Sequence, residues 1–310
     1  MVAVPEPVKK VFEAFPLVEQ MPVSSATPGK SAQLEQRKYY FTQTSETKDL
    51  NNDEKFTLGI HNVIEFEGRY IPTDPVSLSQ ALILCFRNGL KLPTNTSTSP
   101  TNGAHSDHAM LTLSYVASPD NELPILIEDT GSRIIRTGTM VNQILSNKYF
   151  DKDIKGLYLN QFLDERLYDM WVLCMLTEHE NLQVQSYWNQ TFSDMIGSDM
   201  ELSKLFQDMT HWSGFRIRHA HLFNQLKTST GDFWSRSNRK LLKNYYLTEV
   251  ERIQKKLPIL VQSVVEHPIL KLKLASYIVI FDTLLSETRI GQVFHESDDL
   301  VDARKIILSY

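Results

Sequence analysis

Few side chains in this sequence are spaced for chemistry. His105 and His108 stand three apart in "GAHSDHAM" with only Asp107 beside them, and a metal ion needs more converging ligands than that. His219 and His221 alternate in "RIRHAHLF", which reads as a satisfied surface pair. Arg216, Arg218 and His219 form the densest positive cluster of the second half. It is either a solvated face or a contact for an acidic partner. Cys85 in "ALILCF" and Cys174 in "MWVLCML" sit inside apolar runs, where a thiol behaves as a small hydrophobe. Without a CxxC pair, dithiol redox chemistry and a secreted disulfide scaffold are disfavoured, and a reducing compartment is the simplest setting. The GxGxxG, P-loop, GxSxG and HExxH patterns are missing. "LYDMW" at 167–171 reads as core, and Phe233 and Trp234 in "STGDFWS" as an interface anchor or a local plug.

One stretch points to a different chemistry. "NELPILIEDTGSRIIRTGTMVNQIL" at 121–145 reads as strand, tight turn, strand and helix, with Pro124 directly before the first apolar run. That order closes one side of a peptide-shaped or glutathione-shaped cleft in a thioredoxin-like domain. Upstream, "KFTLGIHNVIEF" (55–66) reads as a strand. In "TDPVSLSQALILCFRNG", Thr73 or Asp74 serves as N-cap, Pro75 suits the first turn and Gly89 the stop of a helix. "LKLPT" (90–94) and "AMLTLSYVAS" (109–118) read as further strands around a polar loop at 95–107, and "RKYYFT" as an extra short strand. The predicted order is β-α-β, a β-hairpin, then α. Beyond residue 150 the periodicity is helical throughout, including 154–176, 239–257, a short helix bounded by Pro258 and Pro268, and an apolar helix at 269–285. The fold class is therefore α/β plus all-α, of the glutathione-transferase kind. Its parts are an N-terminal amphipathic arm and polar linker (1–54), a thioredoxin-like domain (55–150) and an all-helical domain (151–310).

Bulk properties narrow the function. The chain has 310 residues, against about 150 per domain. It is 42% hydrophobic and 22% charged, with net charge −5, an ordinary globular balance. With a pI near 6.0 it lacks the basic footprint of a nucleic-acid binder and a polybasic patch for anionic membranes. "MVAVPEPVKKVFEAF" has no continuous apolar h-region. No uncharged run reaches the ~18 residues that span a bilayer, since 269–285 is broken by Lys271, Lys273 and Asp282. Any membrane contact is therefore expected through protein partners. The arm places Val8, Val11, Phe12 and Phe15 at helical spacing up to Pro16, and with Leu17 they form its apolar docking candidates.

A glutathione transferase needs a Tyr, Ser or Cys after its first strand, a cis-proline edge, and a hydroxyl at a helix N-terminus. The proline is present as Leu123-Pro124, with cis and trans both open. Thr137 and Thr139 in "RTGTM" offer hydroxyls, although an N-cap explains such a threonine equally well. After "FTLGIHN", however, come Val63, Ile64 and Glu65, and the nearest hydroxyl is Tyr70 in a long loop "EFEGRYIP". The shape is kept while the thiolate-stabilising group is missing. No cofactor is expected.

The blocks "PVKKVFEAFPL", "FTLGIHNV", "TDPVSLSQALILCFRNGLKLPT", "HAMLTLSYVASPDNELPILIED" and "RIIRTGT" resemble, in that order, the fungal 35-kilodalton subunits of the mitochondrial sorting and assembly machinery, relatives of the metaxins. The resemblance covers roughly the first 145 residues and thins beyond them to "LYDMW" and "LKLASYIV". It implies a transferase-like fold without transferase activity, on the cytosolic face of the mitochondrial outer membrane. There it would cap the membrane-embedded β-barrel channel beside a second metaxin-like subunit and help recognise the β-signal of barrel precursors. The alternative is a divergent glutathione-dependent transferase. Candidate sites are a peptide-binding edge at Leu123, Pro124, Ile125, Arg133 and Arg136, the arm as a docking element, and Arg216 with Arg218 as a basic interface. Deleting residues 1–17 is expected to release the protein from its membrane complex, read by carbonate-free fractionation, without lowering its melting temperature. A large drop in melting temperature would mean that the arm packs on its own domain.

Overall fold

The computed structural model describes residues 33–43, 55–94, 105–129, 132–192, 199–225, 236–295 and 300–310. The arm residues Val8, Val11, Phe12, Phe15 and Leu17, most of the 95–107 loop, and Phe233 and Trp234 lie outside them. Two compact units are distinguished, Met1–Arg37 and Lys38–Tyr310, and the architecture below is that of the second.

It opens with β1 (Lys38–Gln43), β2 (Lys55–Ile60), β3 (Val63–Phe66), β4 (Arg69–Pro72), α1 (Pro75–Asn88), β5 (Leu90–Lys91) and β6 (His105–Thr112). After a 3₁₀ turn at Tyr115–Ala117 come β7 (Ile125–Asp129), β8 (Arg133–Thr137) and α2 (Gly138–Phe150). The main sheet runs β5-β1-β6-β2-β7-β8. β2 and β6 are parallel and joined through α1, whereas β2-β7 and β7-β8 are antiparallel. The expected β-α-β, hairpin, α order is therefore present. The extra strand from "RKYYFT" is also present, pairing antiparallel with β6 with a register shift between Tyr40 and Thr42.

Three expectations in this half are corrected. The single strand at 55–66 breaks at His61-Asn62, and what reads as a long loop around Tyr70 is the tight β3-β4 hairpin. Glu67 (φ 49°) and Gly68 (φ 82°) turn it, with both central residues at positive φ as such two-residue turns need. The strand expected at 109–118 instead spans β6, because the chain turns at Tyr115. Leu123-Pro124 is cis.

The helical part follows as α3 (Ile154–Gln161), a π-helical segment Phe162–Leu167, α4 (Tyr168–Thr177), α5 (Leu182–Thr191) and α6 (Asp199–Met209). A 3₁₀ turn at Trp212–Gly214 leads to α7 (Phe215–Arg218), α8 (Ala220–Phe223), α9 (Arg236–Val264), α10 (Pro268–Leu284), α11 (Arg289–His295) and α12 (Leu300–Ser309). Pro258 does not end a helix, as the sequence reading had it. α9 runs through it, since Leu257, Leu260 and Val264 are buried on either side and hold the helix despite the missing backbone donor. Pro268 takes the first turn of α10, where that donor has no intrahelical partner to lose. α10 is the central helix, packed on α1 and α12. Its charges are specific ties. Buried Lys273 donates from Nζ to Asn160 Oδ1 at 2.8 Å and Asp164 Oδ1 at 2.7 Å. Asp282 accepts from His295 Nδ1 at 2.6 Å and Arg304 Nη2 at 2.8 Å.

The start of α1 joins the two halves. Asp74 caps the helix by accepting from the Ser77 N–H at 2.8 Å, and Gly89 closes it at φ 61°. Beside the cap, the Thr73 carbonyl accepts from Tyr187 Oη at 3.0 Å, which itself accepts from Trp171 Nε1 at 3.0 Å. Burial raises the Asp74 carboxyl to about 6, although the Ser77 donors pull it down. The folded state thus takes up a proton at higher pH than the unfolded chain, whose aspartates titrate near ~3.9. The cost of burying the charge is present above the folded value and disappears as pH falls through it. Asp74→Asn keeps an acceptor for Ser77 and removes the charge, so it is expected to stabilise by ~1–3 kcal/mol at pH 7. Urea unfolding should show that gain shrinking toward pH 4. Asp74→Ala should be less stable than Asp74→Asn by ~1 kcal/mol.

Candidate functional site

A cleft of about 650 Å³ lies where the loop before β7, the start of α2, α3 with its π segment, and the Trp212–Gly214 turn meet. Asp120, Glu122, Asp164, Glu165 and Arg218 line it, together with amide side chains such as Asn142 and Asn160. Local backbone chemistry sets these groups in place. Ser213 (φ 45°) and Gly214 (φ 71°) form a left-handed turn, a conformation that costs a residue with a Cβ about 1–2 kcal/mol. Two charged side chains hold it. Glu122 accepts from the Ser213 N–H at 2.8 Å and from its hydroxyl, and Arg218 Nη1 donates to the Ser213 carbonyl. Burial raises the Glu122 carboxyl, opposed by those Ser213 donors.

Arg218 is itself anchored. Its guanidinium forks onto the buried Asp169 of α4, with Nε 3.0 Å from Oδ2 and Nη2 on Oδ1. His219 Nε2 meets the same Oδ2 at 2.8 Å, and its Nδ1 meets Tyr245 Oη at 3.1 Å. A continuous line of polar contacts therefore runs from the loop before β7 to α9. On the other wall the π segment brings Asp164 to Lys273 and Glu165 into the cleft. A widened turn of this kind often marks a functional position in a helix.

The position after β2, where a transferase holds its thiolate-stabilising group, carries His61. Burial lowers its imidazole to about 3, so it is neutral, and it packs against Phe192 at 4.9 Å and Trp212 at 5.7 Å. Asn62 donates to the Gln190 carbonyl at 2.5 Å and accepts from the Val63 N–H at 2.9 Å. The Tyr70 ring packs tilted against Tyr39, with centroids 4.9 Å apart. Thr137 is buried at the α2 N-terminus without a side-chain cap bond, while Thr139 lines the cleft.

The residues singled out from the sequence are distributed as follows. Leu123, Pro124 and Ile125 are buried, and β7 is paired on both sides. Among the described residues the main sheet ends at β8 on this side and at the two-residue β5 on the other, each with a neighbour on one side only. Arg133 and Arg136 are on β8, paired with Asp129 at 2.9 Å and Glu128 at 2.7 Å. Arg216 is exposed, 5.3 Å from the Phe223 ring centre, whereas Arg218 is committed to Asp169 and Ser213. His219 is not part of a surface pair. It is buried, because Asp169 and Tyr245 satisfy both ring nitrogens, and only His221 is exposed. His108 belongs to β6 rather than to a loop, stacks on Phe56 at 4.1 Å and accepts from its N–H at 3.1 Å. No group of metal-ligating side chains converges among the described residues. Glu122, Asp164 and Ser213 escape sequence reading, since the π segment and the left-handed turn leave no periodic signal. Asp169→Ala is expected to destabilise the fold by ~3–5 kcal/mol in chemical denaturation, because it leaves Arg218 without its partner.

Residues 2–128 match the family model SAM35, described as a subunit of the SAM complex. The chain is 28% identical over 291 residues to the sorting assembly machinery 35 kDa subunit of Saccharomyces cerevisiae (strain ATCC 204508 / S288c), covering 89% of this chain and 88% of that protein. In these two matches the chain is similar to the SAM35 family over its first part and to the yeast subunit over most of its length.

Proposed function

We propose that the chain is a non-catalytic, peripheral subunit of the β-barrel assembly complex of the mitochondrial outer membrane. It binds the membrane-embedded channel and a second metaxin-like subunit on the cytosolic face, and it helps recognise the β-signal of precursors. In this reading residues 55–150 are the thioredoxin-like part and 151–310 the helical part of a transferase-like fold. Kinship with the yeast assembly subunit supports membership of the complex. No helix among the described residues is long and apolar enough to cross a membrane, which agrees with attachment through partners.

The observation that carries precursor recognition is β8. An unpaired edge invites strand addition, and proteins usually blunt it with charge or proline. β8 instead exposes Ile134 at 38% and Ile135 at 46% between two arginines already held by carboxylates. An extended segment pairing there would gain backbone hydrogen bonds and apolar contact together.

The transferase reading rests on the size of the cleft and on its lining by Glu122 and Thr139, from the loop before β7 and the start of α2. The charges weigh against it. Glutathione is a net anion, while the cleft presents Asp120, Glu122 and Glu165, and its guanidinium on Arg218 is bound to Asp169. Photocrosslinkers at Ile134 and Ile135 are expected to trap an imported precursor in mitochondria, and to lose it when the β-signal is mutated. Crosslinks only to complex subunits would make the chain a scaffold. Calorimetric binding of glutathione would favour the transferase.

A further inference from the structure

A second, smaller pocket of about 190 Å³ lies between α1, α2 and the outer strands β7 and β8. We propose that it receives one tyrosine side chain from an extended polypeptide laid along β8. The inference rests on the reading of β8 as a docking edge and adds the chemistry of what docks.

The floor of the pocket carries the argument. Gln80 lines it and is 2% exposed. Neither its Nε2 nor its Oε1 has a hydrogen-bond partner. An amide buried in this way costs free energy until a donor and an acceptor are supplied. The surrounding floor is apolar, with Ile83, Leu126 and Leu145 all buried. The group that fits has an apolar body and a single tip that both donates and accepts. A phenol has that form. Its ring suits apolar walls, its hydroxyl donates to Oε1 and accepts from Nε2, and a cavity of roughly 150 Å³ already holds a benzene ring. A phenylalanine of the same size would leave the amide unpaired.

The mouth faces the proposed path of the chain. Its exposed or half-exposed rim includes Ile144, Leu84, Arg87 and the Arg136–Glu128 pair. Arg136 belongs to β8 itself, so a strand added at that edge runs past the opening. Side chains of such a strand alternate between the two faces of the sheet, and one of them is turned to the helix face where the pocket lies.

The test uses the full-length protein with 4-ethylphenol and ethylbenzene as probes, followed by acetyl-Thr-Val-Tyr-Val-Thr-amide and its Phe analogue. 4-Ethylphenol and the Tyr peptide are expected to bind at least about tenfold more tightly than their partners without a hydroxyl, since a site built to bond a hydroxyl rejects the analogue lacking it. The Tyr peptide should crosslink at Ile135. Gln80→Met should abolish the preference and raise the melting temperature, because the unpaired amide is gone. Leu84→Trp, at the rim, should abolish binding of all four probes while the protein stays folded. Equal binding of phenol and hydrocarbon, no binding of any probe, no crosslink from the Tyr peptide, or a lower melting temperature in Gln80→Met would each overturn the proposal. The last result would mean that the amide serves the fold through a buried water. Crosslinking of imported precursor at β8 is a separate measurement, so its presence or loss judges the precursor reading and leaves the peptide result to judge the pocket.

Discussion

The arrangement of the cleft depends on one buried carboxylate. Asp169 sits in an otherwise apolar helix, Tyr168–Thr177, flanked by buried Met170, Trp171 and Val172. Its charge is tolerable there only because Arg218 and His219 converge on it. Fixing Arg218 fixes the Ser213 carbonyl, and the opposite face of that turn is held by Glu122 from the loop before β7. Strain at Ser213, a helix register in the second half and a loop position in the first are thereby made mutually dependent. The cleft is shaped by charges that hold one another.

The same logic explains how the central helix Pro268–Leu284 carries charged residues on an apolar body. Lys273 and Asp282 each find partners on other helices, in the π segment and in the two C-terminal helices respectively. A buried charge with dedicated partners fixes register more than it adds stability. Here such groups select one packing of a helix whose apolar surface would suit several.

Much of the fold was legible in the sequence because its signals are local. Asp74, Pro75 and Gly89 mark both ends of their helix, and apolar runs bounded by turn residues mark β2, β7 and β8. The β3-β4 hairpin was missed because its turn places Glu rather than Asn or Asp before Gly, a weaker signal for positive φ. Pro258 misled because tertiary packing of Leu257, Leu260 and Val264 outweighs a lost donor. His219 looked like a surface residue because its partners, Asp169 and Tyr245, are distant in sequence. Of the cleft, Arg218 and the Pro124 loop were foreseeable, while the carboxylates facing them were not.

The π segment Phe162–Leu167 has a consequence of its own. A π turn holds one residue more than an α turn, so it acts as a phase shifter, rotating everything beyond it by roughly 100° relative to an uninterrupted helix. That offset lets one continuous rod turn Asn160 and Asp164 toward Lys273 and, beyond the widened turn, bury Asp169 beneath Arg218. Chain length is therefore part of the design at this point. A relative one residue shorter here would keep an unbroken helix, yet it would trade one of these two alignments for the other.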